Sequence, residues 1–217
     1  LVMIGITIAI VLNLFYDYEG QRQDLIRYMR ETENQLQILL CELAAYLHNK
    51  DMEINVWDRI IAFEGRMHEF IKAAYDYQDN TFHSHPGYYI DYFEMRLAQL
   101  QVLHNLHYEI KKIRKMPKQA LVIADYIMYM ADYVVEMNIP DQQIEKLEEI
   151  SEQMKQEELP KTREEFEGRA LLYHILMDLE EFLVYKKRFV NGLDEKKLRI
   201  YWKQEMEQKD SANELQK

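Results

Sequence analysis

The chain has 217 residues, 48% of them hydrophobic and 30% charged, with only 6 Gly and 4 Pro and a formal net charge of -11. That much apolar material supports a packed core and excludes a disordered chain. So few breakers exclude the many turns a sheet requires, leaving long helices built from abundant Leu, Met, Glu, Gln, Lys and Ala. The acidic balance repels phosphate backbones and argues against nucleic acid as a partner. The single thiol, Cys41, is expected on a buried helical stripe with Leu39, Leu40 and Leu43 and can form no internal disulfide.

The chain starts at Leu1 rather than Met, and residues 1–16 (LVMIGITIAIVLNLFY) carry no charged group. As a helix this stretch spans roughly 24 Å, short of the ~30 Å hydrocarbon core by about four apolar residues. We expect it to be the truncated end of a transmembrane helix. A signal peptide fits worse, because a basic n-region and a small-residue cleavage site are missing. A buried core helix is the alternative, weakened because every face from Leu1 to Leu12 is apolar apart from Thr7. Phe15, Tyr16 and Tyr18 fall where an interfacial aromatic belt would lie, and Arg22, Arg27 and Arg30 place the following residues on the cytoplasmic side. The mean hydropathy of -0.46 fits an aqueous remainder.

From there the helix is expected to continue as a stalk to about Asn49, with Leu25, Met29, Thr32, Leu36, Leu39 or Leu40, Leu43 and Leu47 at three-and-four spacing; that stripe could also pack between subunits. Asn55 caps a second helix, with Asp58 in its first turn, ending near Gln78. A polar linker, Asp79–Gly87, precedes a third helix from Tyr88 to Lys115, whose last turn is crowded with Lys111, Lys112, Arg114 and Lys115. Pro117 opens a fourth helix, apolar on most faces (Leu121, Val122, Ile123, Ile127, Met128, Met130, Val134, Val135) and therefore expected to be the most buried. Asp141 caps an acidic fifth helix over Gln142–Glu158. A sixth runs from Thr162 to about Val190, with Phe166, Ala170, Tyr173, Leu176, Leu179 and Leu183 inward, and Gly192 ends it. Short connections between long amphipathic helices predict an all-α, antiparallel up-down bundle. The expected organisation is 1–16 membrane helix end, 17–190 cytoplasmic bundle and 191–217 charged tail.

Two segments stand out. In Pro160–Ala170 (PKTREEFEGRA), Thr162 and Glu165 form a T-x-x-E capping box. Arg163 with Glu167, and Glu165 with Arg169, are four apart and can pair on the helix surface. In Tyr88–Arg96 (YYIDYFEMR), Glu94 and Arg96 do not face each other, so each needs a distant partner; Arg96 is expected to pair with Glu165 or Glu167. His83 with His85, and His104 with His107, are the pairs that could hold a metal, but no E-x-x-H, H-E-x-x-H or Cys/His zinc spacing accompanies them. Tyr126, Tyr129 and Tyr133 lie on or near one face and could line an aromatic pocket, although core packing is the commoner use of such a stripe. The absence of phosphate loops and nucleophile motifs, with carboxylates such as Glu145, Glu148, Glu149 and Glu152 on exposed faces, argues against an enzyme and against a cofactor.

The stretches Tyr89–Leu103 (YIDYFEMRLAQLQVL) and Pro160–Leu183 (PKTREEFEGRALLYHILMDLEEFL) resemble the signature segments of the C-terminal domain of the bacterial putative aromatic acid exporter family. The resemblance covers roughly residues 20–190, and the opening stretch resembles the end of that family's last membrane helix, running into LNLF. It implies an upstream transmembrane region in the bacterial inner membrane, a helical cytoplasmic domain here, similarity to fusaric-acid-resistance-type efflux proteins, and no catalytic residues. The motif residues carried over are Tyr92, Phe93, Glu94, Met95, Arg96, Pro160, Thr162, Arg163, Glu165, Phe166, Glu167 and Arg169. The expected function is assembly, regulation or partner contact for a membrane transporter, with the protein's own transmembrane region, further copies of the chain and a small aromatic acid as partners. The alternatives are a cytosolic ligand-sensing domain with an aromatic-lined pocket and, third, a metal- or haem-binding bundle.

Overall fold

The computed structural model describes residues 4–6, 18–49, 55–81, 86–194, 197 and 201–202. Besides the helical residues 4–6, it holds six helices: α1 (Tyr18–His48), α2 (Val56–Asn80), α3 (Gly87–Lys112), α4 (Gln119–Ala131), α5 (Asp141–Lys155) and α6 (Arg163–Asn191). No strand occurs among the described residues. The apolar spacing drives this outcome. Leu25, Met29, Leu36, Leu39, Leu40, Leu43 and Leu47 form one stripe on α1, and all are buried.

The helix pairings are fixed by side chains at matching heights. Across α1 and α2, Arg66 meets Glu31 at 2.7 Å and Arg59 meets Glu42 at 2.6 Å, and the Tyr28 and Phe70 rings stack at 4.4 Å. Across α2 and α3, Tyr77 packs on Tyr89 and Trp57 on His104, and the Tyr75 hydroxyl donates to Glu94 at 3.1 Å. Across α3 and α6, Gln99 donates to the main-chain oxygen of Phe182, while Gly168 abuts the Lys115–Pro117 segment. Each of these three pairs runs antiparallel.

Helices that pack together are not always neighbours in sequence, however. α4 packs chiefly on α1, α5 lies mainly against α6, and α3 finds its largest partner in α6. α1 is therefore not a free stalk over its described length. Its leucine stripe is covered by α2, α3 and α4 within one chain and is not available for packing between subunits. Among the described residues no helix is long and apolar enough to cross a membrane. The proposed membrane segment, residues 1–16, lies outside the described residues apart from 4–6.

Several local expectations shift. α3 stops at Lys112 because Ile113 turns extended ahead of Pro117. Asp141 does not cap α5: it is the first helical residue, after Pro140, and its carboxylate meets Lys187 at 2.9 Å. α5 closes at Lys155, three residues before the expected end. α4 is not the most buried helix, since Leu121, Val122 and Met128 are 43–48% exposed. Its two packed sides meet α1 and, less extensively, α5 and α6, and among the described residues nothing covers the third. Asn55 does cap α2, accepting from the Asp58 N–H at 3.3 Å. Gly192 does end α6, in a right-handed conformation. Cys41 is only half-buried; burial pushes its thiol pKa up, which disfavours the reactive thiolate.

The start of α6 is set by a close approach. A Cβ on Gly168 would lie 2.9 Å from Pro117 Cγ and 3.3 Å from the Lys115 carbonyl oxygen, so α6 can sit this near the α3–α4 connection only with glycine there. That contact rotates the helix so that Gly168, Leu172, Ile175, Leu176 and Leu179 face inward. Phe166, expected inward, is 62% exposed as a result.

Two predictions follow from the helix glycines and one from the α3–α6 face. Gly168→Ala should destabilise by about 1–3 kcal/mol through overpacking, whereas Gly65→Ala should stabilise by up to ~1 kcal/mol. Gly65 lies in mid-helix with nothing within 4 Å of an added Cβ, and thermal denaturation reads both. Asp178 is pushed up to about 6, first by burial and then by Glu109 and Glu181. A carboxyl raised in the fold contributes stability that is full below its unfolded pKa and lost as pH rises through about 6. Asp178→Asn should therefore raise Tm relative to wild type at neutral pH, and the gain should vanish as the pH falls toward the ordinary Asp range.

Candidate functional site

The first sequence motif is divided among three environments. Phe93 enters the core beside Phe70 (5.8 Å between ring centres), and Met95 is also buried. Glu94 faces solvent and accepts from Tyr75. Tyr92 and Arg96, one turn apart on α3, enter a buried polar cluster instead.

That cluster joins four segments around the middle of α1. α1 supplies Arg30 and Glu33, α3 supplies Tyr88, Tyr92, Arg96 and Gln99, the α4–α5 connection supplies Glu136, and α6 supplies Lys186. Arg30 forks between the two carboxylates, 3.0 Å from Glu33 and 3.3 Å from Glu136. The Tyr92 hydroxyl donates to Glu33 at 3.2 Å, and the Tyr88 hydroxyl donates to Glu136. Arg96 donates through Nη1 to Gln99 at 2.9 Å, lies over the Tyr92 ring, and approaches Glu33 only to 3.7 Å. Lys186 donates to the main-chain oxygen of Glu136. Trp202 donates to the Tyr88 hydroxyl at 3.2 Å and Tyr201 stacks on its ring at 3.9 Å, so part of the expected tail packs on the bundle.

Burial is what gives the cluster its weight. Glu33, Glu136, Arg96 and Lys186 are all at or below 7% exposed, and a buried charge is costly unless paired and hydrogen-bonded. Burial raises the Tyr88 pKa, and Glu136 raises it further. Tyr92 is likewise raised by burial, against the lowering effect of Arg96. Lys186 is driven well below the ordinary lysine range by burial, then by Arg96.

The expected pairing of Arg96 with Glu165 or Glu167 does not form. Arg96 lies at mid-height facing α1, and the two glutamates are taken locally at the far end of α6: Glu165 by Arg169 at 2.6 Å, Glu167 by Arg163 at 2.8 Å. The capping box does form. The Thr162 hydroxyl accepts from the Glu165 N–H at 3.1 Å, and the Glu165 carboxylate accepts from the Lys161 N–H at 2.9 Å. The Lys161 N–H and then Arg169 hold the Glu165 carboxyl below its usual range. The second motif is thus a helix start.

This helix start also walls a groove of about 230 Å3 between the end of α5 and α6. Met154, Leu159, Pro160, Phe166 and Tyr173 make it apolar, and Arg169 stands at its edge. Arg169 donates to the Glu158 main-chain oxygen at 2.7 Å, while its buried Nε has no hydrogen-bond partner. The tyrosines of α4 make no such space. The Tyr126 hydroxyl is used by the Gln143 main-chain oxygen at 2.7 Å, and Tyr129 packs on Tyr133. His104 and His107 gather around Trp57. Burial, Lys111 and His104 depress the His107 pKa, and no cluster able to hold a metal occurs among the described residues. His83 and His85 lie outside the described residues.

Sequence reasoning missed Glu33, Gln99, Glu136, Lys186 and Gly168. Three signals were present: Glu33 adjoins the core stripe beside Thr32, Lys186 falls at the inward spacing of Phe182, Leu183, Phe189 and Val190, and Glu136 interrupts an apolar run.

Removing one carboxylate from the cluster should cost about 3–5 kcal/mol, the range for breaking a buried pair. Glu136→Gln is the direct test, and a double-mutant cycle with Tyr88→Phe should show coupling of about 0.5–3 kcal/mol. Arg163→Ala, at a side chain that is 89% exposed, should stay within about 0.5 kcal/mol of wild type by chemical denaturation.

Comparisons with known proteins agree with this architecture. Over 191 residues the chain is 26% identical to a Bacillus subtilis (strain 168) protein described as "Uncharacterized protein YqjA", covering 87% of this chain and 58% of that relative. It thus spans under three-fifths of that relative's length. A crystal structure described as a putative membrane protein from Clostridium difficile 630 superposes with a TM-score of 0.69 at 23% identity, covering 77% of this chain and 97% of that one, which shows a shared fold. Residues 22–187, from the first turns of α1 through the cluster lysine's neighbour on α6, match the family described as "Putative aromatic acid exporter C-terminal domain", and the chain belongs to that family.

Proposed function

We propose that this domain is the cytoplasmic C-terminal part of a membrane transport protein and that it acts on the membrane part through α1. One observation carries the reading. The helix that follows the uncharged opening stretch is a central core helix, buried along its whole apolar stripe and tied by Arg30 and Glu33 to the α4–α5 connection and α3. A tether would be polar and unpacked. A packed helix transmits rotation or displacement between the two parts, the arrangement needed for regulation or assembly. The acidic balance suits contact with the protein's own membrane region and further copies of the chain better than contact with nucleic acid.

The full-length protein tests this. A fluorescent protein fused after Lys217 should fluoresce while an alkaline phosphatase fusion stays inactive, as expected for a cytoplasmic end. A flexible Gly-Ser insertion between Asp17 and Tyr18 should leave membrane insertion intact but abolish efflux from cells loaded with a panel of aromatic acids. Unchanged efflux with the insertion, or an active phosphatase fusion, contradicts the proposal.

A second reading has its own observation. The apolar groove beside Arg169, with Tyr173 and Phe166 in its walls, fits a ligand-sensing domain for a small aromatic acid. Hydroxybenzoate binding that is lost in Arg169→Gln would favour sensing; no saturable binding to the wild-type chain would remove it.

A further inference from the structure

Two buried cations at the α3–α6 interface lack a carboxylate at hydrogen-bond distance. Arg96 is 1% exposed; its Nη1 goes to Gln99, its Nη2 stands 3.7 Å from Glu33, and its Nε has no hydrogen-bond partner. Lys186 is 4% exposed; it donates to a main-chain oxygen, and its ammonium otherwise faces the Phe189 and Trp202 rings at 5.4 and 5.9 Å. Among the described residues no carboxylate oxygen forms an ion pair with it. The two buried glutamates turn their carboxylates to Arg30 and to the tyrosine hydroxyls instead.

Arg96 and Lys186 line the same cavity, under the α4–α5 connection, together with Gln99, Asn138 and Gln143. Its volume is about 10 Å3, room for a single atom-sized guest. We propose that this cavity binds one monatomic anion, chloride in the cell, bridging Arg96 and Lys186. A carboxylate or phosphate has too many heavy atoms for the space. A water molecule fits by size but brings no charge, so Lys186 would keep no counter-charge and have to give up its proton, and Arg96 would keep only the 3.7 Å approach to Glu33. An anion supplies the missing charge and accepts from both donors at once. The site is independent of the transport reading, since it needs only the folded bundle.

Bromide replacing chloride in crystals of the full chain should give an anomalous peak within hydrogen-bond reach of Arg96 Nε and Lys186 Nζ. In solution, Tm should rise by about 3–6 °C for each tenfold increase in chloride above the dissociation constant, and not in gluconate at matched ionic strength. Lys186→Met should abolish that difference between the salts. A crystal without a bromide peak in the cavity, or equal Tm in the two salts for wild type, overturns the proposal, and neither result depends on the variant folding.

Discussion

Two carboxylates held out of water, Glu33 and Glu136, govern how the first helix is joined to the rest of the molecule. Each must be paired to be tolerated at its depth, and the partners come from different segments: Arg30 from α1, Tyr88 and Tyr92 from α3, and Lys186 from α6 by way of the Glu136 main chain. Hydrophobic packing alone would let α1 slide or rotate against its neighbours, because one leucine stripe fits another in several registers. Directional, desolvated contacts admit one. The cluster therefore specifies the arrangement of α1 more than it adds to net stability, and it grips that helix near its middle.

One end of the bundle is organised by different physics. There α6 begins beyond the neighbouring helices, stabilised by its own Thr162–Glu165 cap and surface pairs and pressed against Pro117 at Gly168. The motif that looked chemically rich in the sequence is a precisely placed helix start, and its by-product is the apolar groove beside Arg169. The two places thus differ in kind: one registers α1, and the other forms an apolar concave surface.

The all-helical class was legible from the scarcity of Gly and Pro, and the helix positions from three-and-four spacing. So were the Asn55 and Thr162 caps, because capping is a local interaction with a fixed offset. What was not legible was long-range. The carboxylate that Arg96 approaches, Glu33 at 3.7 Å, is on α1, whereas the sequence pointed to the acidic residues of a second conspicuous motif. The face of α4 left uncovered could not be read either, because Leu121, Val122 and Met128 are as apolar as their buried neighbours and only the packing of α4 on α1 separates them. Phe166 points outward for a reason visible only in three dimensions, the glycine contact that rotates α6. Of the expected site residues, Tyr92 and Arg96 meet in the buried cluster, the Thr162–Arg169 group meets at the helix start, and the two groups do not touch.

The buried cluster, rather than general apolar packing, thus fixes α1 in place. Hydrogen–deuterium exchange on wild type and Glu136→Gln under native conditions reads this most directly. Exchange should quicken only in the Met29–Leu36 turns of α1, the α4–α5 connection and the start of α3, with the α2–α3 contact around Trp57 and His104 unchanged. Uniformly faster exchange across all six helices, or none in α1, would contradict it.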